Sequence, residues 1–392
     1  MTPAARLQAA IEILDQILDG NAAEKALTSW SRGSRFAGSK DRAAVRDHVF
    51  TALRCRRSHA ALGGASTGRG LIVGALRDAG IDPDTMFNGV GYGPSELSDD
   101  EGLTARSPAS AAEGLDIPEW LWPQFSDSLG DKAEATATAL RHRAPVHLRV
   151  NMLRSSIDQA IEALAVDGII CQPHAAAEAA LEVTEGARRV RNSEAFSAGL
   201  VELQDAASQA VVEALPLRDG MSVLDYCAGG GGKSLAMAAR AKISLFAHDT
   251  VPRRMQDLPI RAVRAGVDVT MLEPEALVRT GPFDLVLCDA PCSGSGSWRR
   301  SPEGKWLLSA EQLQELQDTQ GEILDLAAQL VAPGGVLAYA TCSVLEAENS
   351  CQIGRFMERS SGWTLTSEQS WLVQDGTDGF YCAVLTRIDA DC

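Results

Sequence analysis

Apolar residues near the start of the chain recur at helical spacing. Leu7, Ile11, Leu14, Ile17 and Leu18 share one face of a helix expected over residues 4–19, which Gly20-Asn21 ends. Residues 41–63 repeat the style, with Val45, Val49, Leu53 and Leu62 as the apolar points. The stretch 64–114 then turns rich in Gly, Ser, Pro and acid, and 88–103 (NGVGYGPSELSDDEGL) reads as a linker. An all-helical unit over 1–115 is expected. From 117 the pattern is mixed. VHLRVNM (146–152) alternates as a strand does and SIDQAIEALAV (156–166) has the helical period, which predicts a small α+β segment over 116–215. Beyond 220, short apolar runs at 222–226, 243–248, 267–272, 284–289 and 335–341 alternate with helical stretches, notably 309–331. Runs that are apolar throughout suit strands buried on both faces, so 216–392 is expected to be an α/β, Rossmann-like domain with a mostly parallel sheet. Ligands of such sheets bind at the carboxyl ends of the strands.

Composition narrows the partners. The 392 residues hold 36 Lys and Arg against 52 Asp and Glu, a formal net charge of −16. Non-specific nucleic-acid affinity rests on neutralising phosphates, so the balance argues against a general polyanion binder, while leaving room for a local basic cleft. Nine cysteines form no CxxC pair and keep no company of histidines, so no metal is expected. No stretch approaches 18 uninterrupted apolar residues, and the start lacks a charged segment followed by a long apolar run. The expectation is a cytoplasmic protein with reduced thiols, away from membranes and more simply a monomer.

The first strand of the α/β region runs into Asp225-Tyr-Cys227-Ala228-Gly229-Gly230-Gly231-Gly232-Lys233-Ser234. Four consecutive glycines where a strand turns into a helix let backbone approach a ligand closely. A dinucleotide fingerprint fits the register poorly. A nucleoside-triphosphate loop would need glycine at 227, which is Cys. S-adenosylmethionine, held by an acid at the end of the first strand and a glycine turn, is the third reading. The second strand ends in His248-Asp249, and a carboxylate there suits a ribose diol. Glu273 or Glu275, after the third strand, is placed to reach the adenine side.

The fourth strand ends at Cys288-Asp289-Ala-Pro-Cys292 and the fifth at Thr341-Cys342-Ser343. Parallel neighbours joined by right-handed crossovers put both ends on one edge of the sheet, so Cys292 and Cys342 should face one cleft. Cys55, Cys288 and Cys382 read as small buried hydrophobes. Two thiols at adjacent strand ends read instead as nucleophile and helper.

At these residues the chain resembles a known family. DAPCSGSGSWRRSPEGKW (289–306) followed by ATCS (340–343) is similar to the RsmB/Sun (NOP2-type) RNA cytosine-5 methyltransferases. LRVNML (148–153), LVELQDAASQ (200–209), DYCAGGGGK (225–233) and DGFYCAVLTR (378–387) follow in the family's order, and the resemblance spans roughly 117–388. The chain departs from the usual pattern at Gly229-Gly230, where members carry Ala-Pro, and at Glu273, where Asp is usual. The amino-terminal helices resemble, in length and helicity, the NusB-like RNA-binding domain of some members.

The resemblance implies a class I methyltransferase domain with a mostly parallel seven-stranded sheet, S-adenosylmethionine as cofactor, and ribosomal RNA of the small subunit as substrate. It implies that Cys342 is the nucleophile and that Cys292 assists release of a Cys–C6 adduct, with Asp289 beside the base. Asp225, the loop from Cys227 to Lys233, Asp249, Glu273 and Asp289 would hold the cofactor. Arg299, Arg300, Lys305 and Arg149 are candidate phosphate contacts. Two alternatives stand beside this reading: a P-loop-like NTPase, and a non-catalytic RNA-binding or ribosome assembly factor on the same fold.

Overall fold

A computed structural model describes residues 1–388. The chain divides into two compact units, Met1–Arg143 with Trp298–Leu308, and Ala144–Ser297 with the chain from Ser309 onward.

The first unit is helical. Helices Pro3–Leu18, Ala23–Gly33, Ser39–Arg54, Arg56–Gly63 and Gly68–Asp78 enclose a core that includes Ile13, Leu14, Val45, Val49, Leu71 and Ile72. The first helix starts where its sequence allows, with Pro3 in its first turn and Thr2 accepting from Ala5 N at 3.2 Å. The apolar spacing of 41–63 predicts one helix, yet the chain forms two, broken at Cys55 (φ −107°, ψ 34°). The cause is distant in sequence. Buried Asp116 accepts from Arg57 N and Ser58 N, both at 2.9 Å, and so caps the second helix from 58 residues away. The expected linker holds a short helix, Asp99–Leu103, tied down by Arg69 on Glu101 at 2.5 Å. Helices Trp122–Leu129 and Ala133–Leu140 also belong to this unit.

The second unit holds two sheets. In the smaller, β1 (Val146–Val150), β2 (Ile170–Pro173), β3 (Ala180–Glu185) and β4 (Val201–Leu203) run antiparallel in the order β2-β3-β1-β4. The helix Ile157–Val166 follows β1, opened by a capping box between Ser156 and Gln159.

The larger sheet has seven strands: β5 (Ser222–Asp225), β6 (Ser244–Ala247), β7 (Thr270–Met271), β8 (Phe283–Asp289), β9 (Val331–Thr341), β10 (Trp363–Trp371) and β11 (Phe380–Arg387). Their order is β10-β11-β9-β8-β5-β6-β7. Strands β5 to β9 pair in parallel, while β11 runs antiparallel between β9 and β10. This is the doubly covered, mostly parallel sheet that the apolar runs predict. Leu285, Val286, Leu287 and Cys288 of β8 are fully buried, as a central strand requires. The run 267–272 shrinks to the two residues of β7, because this edge strand pairs with β6 alone and its residues lie exposed. Among the described residues, no helix is long and apolar enough to cross a membrane.

Candidate active site

The glycine loop leaves β5 at Asp225 and enters the helix Gly232–Arg240. Gly231 has φ +77°, and a Cβ there would lie 2.2 Å from a methyl carbon of Leu258. Only glycine closes this turn without strain. Ala228 N donates to His248 O at 2.8 Å, fastening the loop to the end of β6. Asp249, the next residue, is buried and accepts from Gly229 N at 3.0 Å, with Arg254 at 3.1 Å. The carboxylate expected at a ribose therefore also fixes the loop's backbone. Arg149 braces the loop from beneath, its guanidinium donating to Gly232 O at 2.7 Å and to Gln204.

Asp225 is buried, and its Oδ2 accepts from Ser234 Oγ at 2.6 Å. Its Oδ1 has no hydrogen-bond partner. Burial pushes the carboxyl up to about 7, against the opposing pull of Ser234. A buried acceptor lacking a donor, at the lip of a glycine cradle, is completed by a ligand's donor. S-adenosylmethionine brings an α-ammonium and a ribose diol, and the two acids and the bared backbone fit it. Glu273 sits exposed just past β7, at the start of the helix Pro274–Thr280, while Cys227 and Ala228 pack against apolar clusters. Lys233 and Ser234, which imitate the end of a triphosphate loop, turn inward to Asp289 (2.7 Å) and Asp225.

Asp289 at the end of β8 pairs with Ala340 of β9 in parallel register, so the residues after each strand emerge side by side. Cys292 Sγ lies 3.5 Å from Cys342 Sγ, and Ser297 Oγ lies 3.8 Å from Cys342 Sγ. The two thiols foreseen at one edge are in hydrogen-bond contact. Cys55, Cys288 and Cys382 are buried, as expected of apolar filler.

The pair is electrostatically lopsided. The hydrogen bond from Cys292 leads in holding the Cys342 thiol below its ordinary value, against burial and Asp289, with help from Ser297 and Lys233. The same bond, then burial and Glu348, drives the Cys292 thiol well above it. Of the two, Cys342 is the thiol that ionises first as pH rises. Burial opposes charge on Lys233, but Asp289 outweighs it and the ammonium is held more firmly than usual.

A clamp behind the thiols escaped the sequence reading. Fully buried Glu348 accepts from Ser293 N (2.8 Å), Ser293 Oγ (2.5 Å), Ser343 Oγ (2.5 Å) and Gln320 Nε2 (3.0 Å). Asn349 accepts from Thr341 Oγ1 at 2.6 Å and donates to Ser343 O at 3.0 Å. Gln320 Nε2 also reaches Pro291 O at 2.9 Å. The residues before and after each cysteine are thus held by three side chains. Gly296 and Gly379 meet backbone to backbone, Gly379 N donating to Gly296 O at 2.8 Å, where a Cβ on Gly296 would come within 2.2 Å of Gly379 O. That contact gives the DGF run beyond β10 a place in the site.

The structure corrects most of the proposed phosphate contacts. Lys305 is buried, its ammonium donating to Arg54 O at 3.0 Å, and burial pushes it down to about 8. Arg299 is buried, and its carbonyl accepts from Arg54 Nε at 2.7 Å. Arg149 is buried beneath the glycine loop, with its pKa lowered by burial to about 10. Only Arg300 of the four is exposed. Long apolar stems carry these cations inward, and backbone carbonyls accept from Lys305 and Arg149. Among the described residues, no group of three His, Cys, Asp or Glu side chains is arranged to hold a metal ion.

The family of 16S rRNA methyltransferases RsmB/F matches residues 212–386, and the RsmF/B-like ferredoxin-like domain matches residues 117–190. The ribosomal RNA small subunit methyltransferase B of Vibrio cholerae is 33% identical over 302 residues, covering 74% of this chain and 69% of that one. Its counterpart from Citrobacter koseri is 34% identical over 301 residues, covering 73% and 70%. In fold, the crystal structure of PH0851 superposes with a TM-score of 0.75 at 22% identity, covering 98% of this chain and 99% of that one. A methyltransferase homolog protein from Pyrococcus horikoshii reaches 0.62, also at 22% identity, over 74% and 100%. The chain belongs to the RsmB/F family, and is a ribosomal RNA methyltransferase on a Rossmann-like sheet with S-adenosylmethionine as its methyl donor.

Proposed function

We propose that the chain methylates C5 of a cytosine in small-subunit ribosomal RNA through a covalent bond between Cys342 and C6. The observation that carries this reading is the thiol pair 3.5 Å apart, in which Cys342 is the more readily ionised sulfur. C5 of cytosine is too weak a nucleophile to take a methyl group unaided, and a sulfur nucleophile at C6 is the remedy. S-adenosylmethionine supplies an electrophilic methyl carbon when bound, and Asp225, the loop Gly229–Gly232 and Asp249 are the residues that would hold it.

The chain's own groups divide the remaining work. Cys342 Sγ adds to C6, and the C5–C6 π pair becomes available at C5. Cys292 then no longer shares its proton with a thiolate. Asp289, held by Lys233, accepts from the exocyclic amine of the base, and the Lys233 ammonium offsets negative charge spreading over the ring. After C5 has gained its methyl group, a base takes the C5 proton, the C5–H pair re-forms the double bond and the C6–S pair returns to Cys342 Sγ, a release that Cys292 assists. A base in a duplex cannot reach such thiols, so the target must be splayed out.

Incubation with unmodified 16S rRNA, followed by bisulfite sequencing, is expected to reveal a protected cytosine. A methyl group found on N4 or on a ribose overturns the reading. Asp249→Ala should weaken cofactor binding by about 1–3 kcal/mol in calorimetry, because a buried acceptor that also anchors Gly229 N is lost. Unchanged affinity would move the ribose contact to Glu273. The pH dependence follows from the thiols. Transfer needs Cys342 ionised, so single-turnover rate should climb with pH through a midpoint below the ordinary thiol value and then level off. Lys233→Met removes one of the charges that favour the thiolate, and should move that midpoint upward.

A further inference from the structure

The helical unit contains a cleft of about 560 Å³ that neither the sequence motifs nor the family assignment explains. Arg56, Arg57, Arg106, Trp120, Lys305 and Trp306 line it, all from the same unit. Its volume is that of a site for a small organic group. On a chain of net charge −16, three arginines converge here with two indoles.

The charges are not all spoken for. Arg106 is held by Glu113, which also lines the cleft, at 2.6 and 2.7 Å. Arg57 is held by Glu119 at 2.5 Å and by Ile117 O. Arg56 has no carboxylate partner among the described residues. Its guanidinium lies 5.8 Å from the ring centre of Trp306, and burial lowers its pKa. Trp306 is fixed, its indole N–H donating to Leu53 O at 2.6 Å, with the Lys305 ammonium 4.5 Å from its ring centre. Trp120 is 41% exposed. A half-desolvated guanidinium without an acid, set among planar rings, suits a ligand with an anion and an aromatic face together.

We propose that this cleft binds one nucleotide of single-stranded RNA, with its phosphate at Arg56 and its base against Trp120 and the free part of Trp306. The proposal rests on the RNA reading above and gives it a substrate-capture site outside the thiol cleft. A phosphate ion would find no use for the indoles, and a duplex would keep its bases stacked away from them. Stacking on aromatic rings beside a cation is the general device by which proteins hold unpaired bases. On a chain of net charge −16, affinity for RNA then depends on local sites of this kind. Lys305, which the sequence placed on a phosphate, instead supports the cleft from below.

Binding of a labelled single-stranded oligoribonucleotide to the full chain tests this across a salt series. Arg56→Gln and Trp120→Ala are each expected to raise Kd roughly tenfold. Arg56→Gln alone should reduce the slope of log affinity against log salt by about 0.7, one single-strand phosphate. Cofactor affinity should not change in either variant, an unchanged thermal unfolding profile confirms that the helical unit is folded, and Arg106→Gln serves as a further variant of the same wall. RNA substituted with 4-thiouridine should crosslink to peptides holding Trp120 or Trp306. Wild-type Kd and salt slope in all three variants, with crosslinks elsewhere, overturn the cleft while leaving methylation of 16S rRNA by the wild-type chain intact. Loss of that wild-type methylation would instead overturn the reading beneath it.

Discussion

Cys342→Ala is expected to lower methyl transfer on the order of 10³-fold or more while leaving S-adenosylmethionine binding unchanged. In the proposed mechanism the sulfur acts on the base and not on the cofactor, and its hydrogen-bond contacts are Cys292 and Ser297, so calorimetric affinity for the cofactor should survive. Cys292→Ala should behave differently. Its loss leaves the Cys342 sulfur in place but removes the hydrogen bond that most lowers that thiol, so addition should need a higher pH. Addition to C6 then proceeds and release stalls, so a protein–RNA adduct that survives denaturation should accumulate on a gel. The two variants separate the roles cleanly. Near-normal turnover in Cys342→Ala, or the adduct appearing in that variant instead, would reverse the assignment. The double variant should give neither product nor adduct.

The sequence exposed what depends on local pattern. Apolar runs located β5, β6, β8 and β9 to within a few residues, because strands buried on both faces leave a continuous signature. The same logic put Cys292 and Cys342 on one edge before any distance was known. What failed depended on contacts far apart in sequence. Nothing within 41–63 announces a helix break at Cys55, because the cap is Asp116. Lys305 and Arg299 look like surface cations, and only tertiary packing reveals that they donate to or support Arg54 inside the helical unit. Strand β10 alternates between half-buried and exposed residues, a weaker signal than the neighbouring core runs. Glu348 was hidden for a similar reason. In the run Glu346-Ala-Glu348-Asn349 an acid reads as solvated surface, and only the fold shows it accepting four hydrogen bonds at no exposure.

Glu348 carries the second large expected effect. Its oxygens hold the serine after each cysteine, so the two loops are joined through one carboxylate. Glu348→Ala leaves Ser293 N and Gln320 Nε2 as buried donors without that acceptor, together with two hydroxyls. The expected cost is about 3 kcal/mol in denaturant unfolding, and kcat should fall well beyond what the lost stability explains, since the 3.5 Å sulfur contact is no longer fixed. Glu348→Gln separates charge from shape. The amide oxygen can still accept from Ser293 N and Gln320, and the hydroxyls of Ser293 and Ser343 can rotate to accept from the new amide. Stability should then stay within about 1 kcal/mol of the parent. The negative charge that disfavours a thiolate at Cys292 is gone, so the Cys292 thiol should ionise at lower pH and be alkylated faster by iodoacetamide at pH 8. A thiolate at Cys292 competes with the one at Cys342, so methyl transfer should fall in the glutamine variant even though the protein remains folded. If Glu348→Gln leaves both the alkylation rate of Cys292 and the methyl-transfer rate unchanged, the carboxylate serves the packing of the loops and not the choice of which sulfur is charged.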